Sequence, residues 1–365
     1  MKTQAVTTFF FEGDPFFHSL REAIAGAKQC VDVELYYFAD DPIGRGFGGL
    51  FKKKSGEGVR VRMIYDAVGC RETPSHLFED LERSGVLVKK YNPLLPPRKY
   101  FDRRNHRKMI VIDQRIGFLG GFNLAAEYSE AHSGRKAWRD SGVRFEEPEL
   151  AGLLNRLFED SWSGRRLRVE DFIQKKTPRP DWTERRRTIL ASHGWKRKSP
   201  IREEYLSAIL HAQNSISITN SYFIPDRGIR RALRKAALRG VDVKFMMPGP
   251  TDVSIARWAG QATYASFLKA GVRIFEYQPR VLHAKNAVID HQWYTVGTSN
   301  LDPLSFFRNL EVNFIGKDAE EAKIFDLQFA KDIEFSKEIR DEKWKLRPWW
   351  RKLRERFCFF FRAWL

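Results

Sequence analysis

The chain has little cysteine and fewer acidic than basic residues, and it lacks any long apolar run. Only three cysteines occur in 365 residues, Cys30, Cys70 and Cys358, far apart, with no Cys-x-x-Cys and no histidine at metal-ligand spacing. That argues against zinc-bound and disulfide-stapled scaffolds and fits a reducing compartment. No apolar stretch of ~20 residues is present, so no bilayer-spanning helix is expected. Met1 to Asp14 carries only Lys2 before Glu12 and has no apolar core followed by a small-residue cleavage site, so no signal peptide is expected. A glycine-rich phosphate cradle, which a nucleotide-dependent enzyme would need, is missing as well. Against 46 acidic residues stand 64 Lys and Arg, giving a net charge of +18. A surplus of that size implies a polyanionic partner, and nucleic acid or an anionic membrane surface would satisfy it equally well.

A hydrophobic content of 42% beside 30% charged residues describes a globular chain, and at ~150 residues per domain the length suggests two domains or one bilobal one. The decisive feature is an internal duplication. Ala23-Ile24 through Val33-Glu34-Leu35-Tyr36-Tyr37-Phe38 is echoed by Ala208-Ile209 through Ile218-Thr219-Asn220-Ser221-Tyr222-Phe223. Gly58-Val59-Arg60-Val61 is matched by Gly240-Val241-Asp242-Val243, and Gly85-Val86-Leu87-Val88 by Gly271-Val272-Arg273-Ile274, in the same order. Each half alternates short apolar strands with helical stretches such as Ile229 to Arg239, the pattern of an α/β domain with a mixed sheet. Two such lobes, residues 1–165 and 201–335, are expected to pack as pseudo-twofold mates. The basic segment 166–200, with Lys175-Lys176 and Arg185-Arg186-Arg187, reads as a connector, either a solvated face or a strip turned toward substrate or membrane.

Residues 336–365 form a separate terminal segment. There Trp344, Trp349, Trp350, Phe357, Phe359, Phe360, Phe361 and Trp364 interleave with Lys345, Arg347, Arg351, Lys352, Arg354, Arg356 and Arg362, and Pro348 interrupts any helix. Aromatic rings favour the headgroup boundary and cations favour anionic lipid, which suits a peripheral or monotopic membrane anchor. A helix docking its aromatic face on the protein is the competing reading.

Both halves then reach a histidine motif. His106-Arg107-Lys108 with Asp113, and His283-Ala284-Lys285 with Asp290, share one spacing, and glycine and asparagine follow each: Gly120-Gly121-Phe122-Asn123 and Gly297-Thr298-Ser299-Asn300. If each is a strand, His106 projects beside Lys108 and His283 beside Lys285. One such histidine would ordinarily be a core residue; two matched copies with matched sequels point to shared chemistry. Imidazole suits phosphodiester exchange, because a neutral ring can attack phosphorus while a protonated one supplies the leaving alkoxide with a proton.

On these residues the chain resembles the phospholipase D superfamily. The stretch Gly297-Thr298-Ser299-Asn300-Leu301-Asp302-Pro303-Leu304-Ser305 through Asn309-Leu310-Glu311 is similar to the bacterial cardiolipin synthases within it, and the likeness runs from about residue 10 to 320. The resemblance implies two phospholipase D-like lobes whose His106 and His283 converge on one phosphorus, one as nucleophile and one as general acid and base. Attack is assigned by family analogy to His106, giving a phosphohistidine, with the reverse assignment left open. Lys108, Lys285, Asn123 and Asn300 would hold the nonbridging oxygens, with neither metal nor cofactor. Asp113 and Asp290 would make supporting ion pairs, and Asp140 and Glu311 would fix the tautomer of each histidine. Asn286 departs from the family pattern by placing a polar residue in an apolar strand.

The implied reaction converts two phosphatidylglycerols to cardiolipin and glycerol at the cytoplasmic face of the membrane. Phosphatidylglycerol is then the anionic partner, and nucleic acid an unfavoured one. The alternative is hydrolysis by a phospholipase or nuclease of the same superfamily.

Overall fold

The computed structural model describes residues 7–93, 103–164, 186–193 and 199–362. They divide into two units: Met1–Pro180 with Asn309–Val312, and Asp181–Arg308 with Asn313–Leu365.

In the first unit the strands are β1 (Thr7–Phe10), β2 (Cys30–Leu35), β3 (Arg60–Asp66), β4 (Leu87–Tyr91), β5 (Met109–Ile112), β6 (Ile116–Gly120) and β7 (Gly142–Phe145). They form one sheet in the order β1-β7-β6-β5-β2-β3-β4. β2, β3 and β4 run parallel, while β5, β6, β7 and β1 continue antiparallel. Every residue of β2 is buried, as a central strand covered on both faces requires. Alternation then sorts its side chains. Val31, Val33 and Leu35 join Phe16, Phe17, Phe47 and Phe51 in the main apolar cluster, each such aromatic contributing roughly 1.5–3 kcal/mol by burial. Asp32 and Glu34 point to the other face, where Arg62 links Asp32 to Glu159 of the helix Pro148–Ser163.

The second unit repeats the plan with β8 (Arg187–His193), β9 (Ser215–Asn220), β10 (Asp242–Pro248), β11 (Arg273–Tyr277), β12 (Lys285–Ile289), β13 (Trp293–Gly297), β14 (Leu310–Lys317) and β15 (Ser336–Ile339). Its sheet order is β15-β11-β10-β9-β12-β13-β14-β8. The parallel trio β9-β10-β11 answers β2-β3-β4, and β12 lies antiparallel to β9 as β5 does to β2. Ile216, Ile218, Phe245 and Ile274 pack with Ile229 and Leu233. Those last two belong to the helix Arg227–Leu238, whose start Asp226 caps by accepting the backbone N–H groups of Gly228 and Ile229. Such a cap contributes about 1 kcal/mol. Each unit is thus a mixed sheet flanked by helices.

Two segments differ from their sequence reading. Within the stretch read as a connector, Arg187–His193 is strand β8, anchored where Arg187 pairs with Glu321 at 2.6 Å. Its strand pattern is obscured by the surrounding basic residues; 166–185 and 194–198 of the connector lie outside the described residues, and Pro200 already opens the next helix. The terminal segment begins inside the second sheet, since β15 pairs antiparallel with β11. Pro348 occupies the N-cap of a helix, Trp349–Phe360, instead of preventing one; a proline costs nothing where no intrahelical N–H bond is due. No described helix is long and apolar enough to cross a membrane.

Candidate active site

Strand β5 begins at Met109 and β12 at Lys285, so both histidines stand in extended chain just ahead of their strands instead of within them. In the first unit His106 N–H donates to Leu310 O at 3.0 Å, and Leu310 N–H to Arg104 O at 2.9 Å. This bridge brings the next residue, Glu311, to the ring. His106 Nδ1 lies 3.1 Å from both Oε1 and Oε2 of Glu311, a carboxylate with no solvent exposure. An anion at Nδ1 holds the proton there and leaves the Nε2 lone pair for attack. Glu311 is thus the carboxylate that lies against His106 Nδ1.

Around His106, Lys108 Nζ donates to His106 O at 2.9 Å and sits 5.1 Å from the Tyr36 ring centre. Tyr36 meets the imidazole edge-on at 5.0 Å; burial, followed by nearby Asp66, pushes its phenol up to about 12, so it stays a neutral hydrogen-bonding group. In the second unit Lys285 Nζ lies 2.9 Å from His283 Nδ1 and also donates to His283 O, and Tyr222 stands edge-on to His283 at 6.2 Å. The lysines accompany their histidines as the spacing required. The two tyrosines were quoted in the sequence only as a strand echo; an aromatic residue just past each motif-pairing strand was the available signal.

Both asparagines are oriented through their carbonyls. Asn123 Oδ1 accepts Tyr37 N–H at 3.1 Å while Nδ2 donates to Tyr128 OH at 2.9 Å. Asn300 Oδ1 accepts Ser221 Oγ–H at 2.8 Å. Among the described residues the amide nitrogen retains donor capacity in each case, two hydrogens in Asn300 and one in Asn123. Asp140 is wholly buried and accepts Ser141 N–H at 2.7 Å. A Cβ at Gly121 would fall 2.0 Å from its Oδ1, so the second glycine of Gly120-Gly121 is there to admit that carboxylate. Asn286, the departure noted above, is buried in β12 between Thr219 and Val296.

Asp113 and Asp290 require correction. Among the described residues they make no ion pairs of the expected kind. Each opens a two-residue turn at positive φ, Asp113-Gln114 at 50° and 54° and Asp290-His291 at 53° and 57°, joining β5 to β6 and β12 to β13 in the conformation hairpins favour. The Asp113 carboxylate accepts the N–H groups of Lys28, Gln29 and Cys30 at 2.7–2.9 Å. Asp290 does the same for Gln213, Asn214 and Ser215. Burial raises the Asp113 carboxyl, but the three N–H groups outweigh it and hold it below its usual range. Seven residue steps of roughly extended chain, about 20 Å, lead from each histidine to its aspartate, and the contacts of these carboxylates clamp the turn to the strand beside it.

The units differ beneath the motif. In the first, Glu34 Oε1 accepts from Asn105 Nδ2 at 2.7 Å and Ser161 Oγ at 2.9 Å, with Arg107 Nη1 at 3.7 Å, all buried. Burial pushes the Glu34 carboxyl up against the lowering influence of Arg107, Asn105 and Ser161. In the second, Leu282 and Ala284 replace Asn105 and Arg107 and lie in an apolar cluster with Met246, Phe275, Tyr277 and Phe329. Pairing register makes Thr219 the counterpart of Glu34, since Glu34 faces Met109 and Thr219 faces Asn286.

Comparison with known proteins agrees with this duplicated arrangement. A family model described as cardiolipin synthase, PLD-like domain, matches residues 20–162 and again 205–333. Cardiolipin synthase B of Salmonella typhi is 32% identical over 365 residues, covering 96% of this chain and 86% of that protein. The cardiolipin synthase of Halalkalibacterium halodurans is 31% identical, covering 96% and 71%. Among solved structures, phosphatidylserine synthase of Haemophilus influenzae superposes with a TM-score of 0.75 over 98% of this chain and 95% of its own, at 14% identity, a likeness of fold. With its motif present in both halves, the chain belongs to the cardiolipin synthase family, phosphatidyltransferases of the phospholipase D superfamily.

Proposed function

We propose that the chain makes cardiolipin from two molecules of phosphatidylglycerol, releasing glycerol, by way of a phosphohistidine at His106. The observation that carries the assignment is the bidentate approach of Glu311 to His106 Nδ1, 3.1 Å to each oxygen, which favours Nε2 as nucleophile. His283, whose Nδ1 lies 2.9 Å from the Lys285 ammonium, takes the proton-transfer role. His106 Nε2 attacks phosphorus, the bond to the glycerol oxygen breaks, and His283 supplies that oxygen with a proton. The primary hydroxyl of a second phosphatidylglycerol then gives its proton to His283 and attacks the phosphohistidine, returning His106 to its neutral form. Charge gathering on the nonbridging oxygens is met by Lys108 and Lys285 and by the amide hydrogens of Asn123 and Asn300. One phosphodiester replaces another, so the exchange is nearly isoenergetic and needs no nucleotide.

Such substrates place the enzyme at a membrane surface, at its cytoplasmic face, where a basic protein meets anionic lipid. Incubation of the purified protein with phosphatidylglycerol in detergent tests the reading: cardiolipin and free glycerol in equal amounts are expected. Phosphatidic acid without cardiolipin would establish hydrolysis instead, and DNA cleavage without lipid turnover would establish a nuclease.

A further inference from the structure

The helix Trp349–Phe360 is amphipathic in the wrong sense for a helix that ends at water. Its buried positions are Glu355 and Cys358. Cys358 packs with Ile224, Ala256 and Ala259, Glu355 pairs with Arg347, and Arg354 lies 4.0 Å over the Trp258 ring. These contacts seat the helix along its neighbour Ser254–Leu268. The opposite arc carries the large apolar side chains. Trp349, Leu353, Phe357 and Phe360, spaced four, four and three residues apart, are 75, 60, 65 and 75% exposed, and Trp350 and Phe361 flank them at 48 and 42%. Residues three and four apart share one helix face, so these six form a continuous apolar stripe. Leu346, 84% exposed, extends it toward the N-terminal end.

Charge tells what the stripe meets. Between Lys343 and Arg362 the chain has Lys343, Lys345, Arg347, Arg351, Lys352, Arg354, Arg356 and Arg362 against the single acid Glu355, and that acid is turned inward. Exposed Arg351, Arg356 and Arg362 leave the helix surface basic around an apolar centre. A protein partner would have to be apolar and acidic at once; the interface of an anionic phospholipid bilayer is both, with acyl chains for the rings and phosphates for the guanidinium groups.

We infer that Trp349–Phe360 is a monotopic docking helix that lies in the plane of an anionic bilayer, its buried edge fixing it to the second unit. This deepens the membrane location proposed above and names the surface that makes the contact. Seating on Ser254–Leu268 leaves the stripe already formed before lipid is met, so binding does not carry the cost of folding a helix.

The test uses the full chain and vesicles of phosphatidylcholine with or without 30% phosphatidylglycerol, separated by flotation; that percentage is roughly that of a strongly anionic membrane. The parent should float with the anionic vesicles and lose them as salt rises. Replacing Trp349→Ser, Phe357→Ser and Phe360→Ser together should weaken binding on the order of 100-fold, since three large apolar side chains lose their burial in lipid. Lys352→Glu with Arg356→Glu should abolish the preference for anionic vesicles while leaving the apolar stripe intact. Thermal melts and turnover of a short-chain, monomeric phosphatidylglycerol serve as controls: both should match the parent in all variants. Unchanged flotation of the triple variant would overturn the inference. So would a fall from dimer to monomer in that variant by light scattering, which would assign the stripe to a second copy of the chain. If the short-chain assay yields no cardiolipin while flotation behaves as expected, the docking stands and the proposed reaction fails.

Discussion

Replacing Glu311 by glutamine removes one negative charge and changes nothing else in outline. In the parent, that charge lies 3.1 Å from Nδ1 of His106 through both oxygens and is shielded from solvent. At an effective dielectric of about 20, unit charges at that separation attract by roughly 5 kcal/mol. This attraction is largest when the imidazole becomes cationic, as it does when Nε2 bonds to phosphorus, so it bears on the transition state more than on substrate binding. Glutamine can also present its NH2 to Nδ1, which moves the ring proton to Nε2 and blocks attack. An analogous amide substitution in a serine protease triad lowers kcat about 10⁴-fold. Glu311→Gln is therefore expected to lower kcat for cardiolipin formation by about 10³–10⁴, equivalent to 4–5.5 kcal/mol, with KM and thermal stability close to the parent and partial recovery in Glu311→Asp. Turnover within tenfold of the parent would refute the assignment of Glu311 and, with it, the reason for making His106 the nucleophile.

Arg107→Leu should cost the first unit about 3–5 kcal/mol in urea unfolding, because it strands the buried Glu34 carboxyl. Since burial already raises Glu34, the folded form binds its proton more tightly than the unfolded one. The cost should thus be small below the usual carboxylate range and grow as pH rises through the elevated folded value. Importing the second unit's residues as Glu34→Thr, Asn105→Leu and Arg107→Ala together should restore much of the loss; equal stability of parent and Arg107→Leu at neutral pH would contradict the cluster's role. Asp113→Asn should remove about 1–2 kcal/mol, discounted for its partial exposure. Because the Asp113 carboxyl is held low, its contribution is present above the unfolded value and lost as pH falls through the folded one, so parent and variant melts should converge only in acid; a gap independent of pH would sink that reading.

The duplication and the spacing of His106 and His283 were legible because they are local patterns: paired alternating strands and two matched eight-residue motifs running from histidine to aspartate. The sequence also carried the fold class, since β2 and β9 show as alternating strands, Val31-Asp32-Val33-Glu34-Leu35 and Ile216-Ser217-Ile218-Thr219, each following a helical stretch. What it hid depends on residues distant in the chain. Glu34, Asn105 and Ser161 form one network although 71 and 127 positions separate Glu34 from the others, and no periodicity marks such a set. Asp113 and Asp290 were misread for a related reason. Strand alternation places them opposite the histidines, yet their function is set by the N–H groups of Lys28, Gln29 and Cys30, and of Gln213, Asn214 and Ser215. Strand β8 was masked by flanking charge, and β15 by its nearness to the aromatic tail.

The most direct measurement is capture of the covalent intermediate. Phosphatidylglycerol labelled with 32P at its phosphodiester is mixed with the protein, quenched in base within one turnover and digested, and the labelled peptide is sequenced by mass spectrometry. The account predicts label on the peptide containing His106 and none on that containing His283, with turnover abolished in His106→Ala and in His283→Ala. Label on His283, or full activity in either alanine variant, would contradict it.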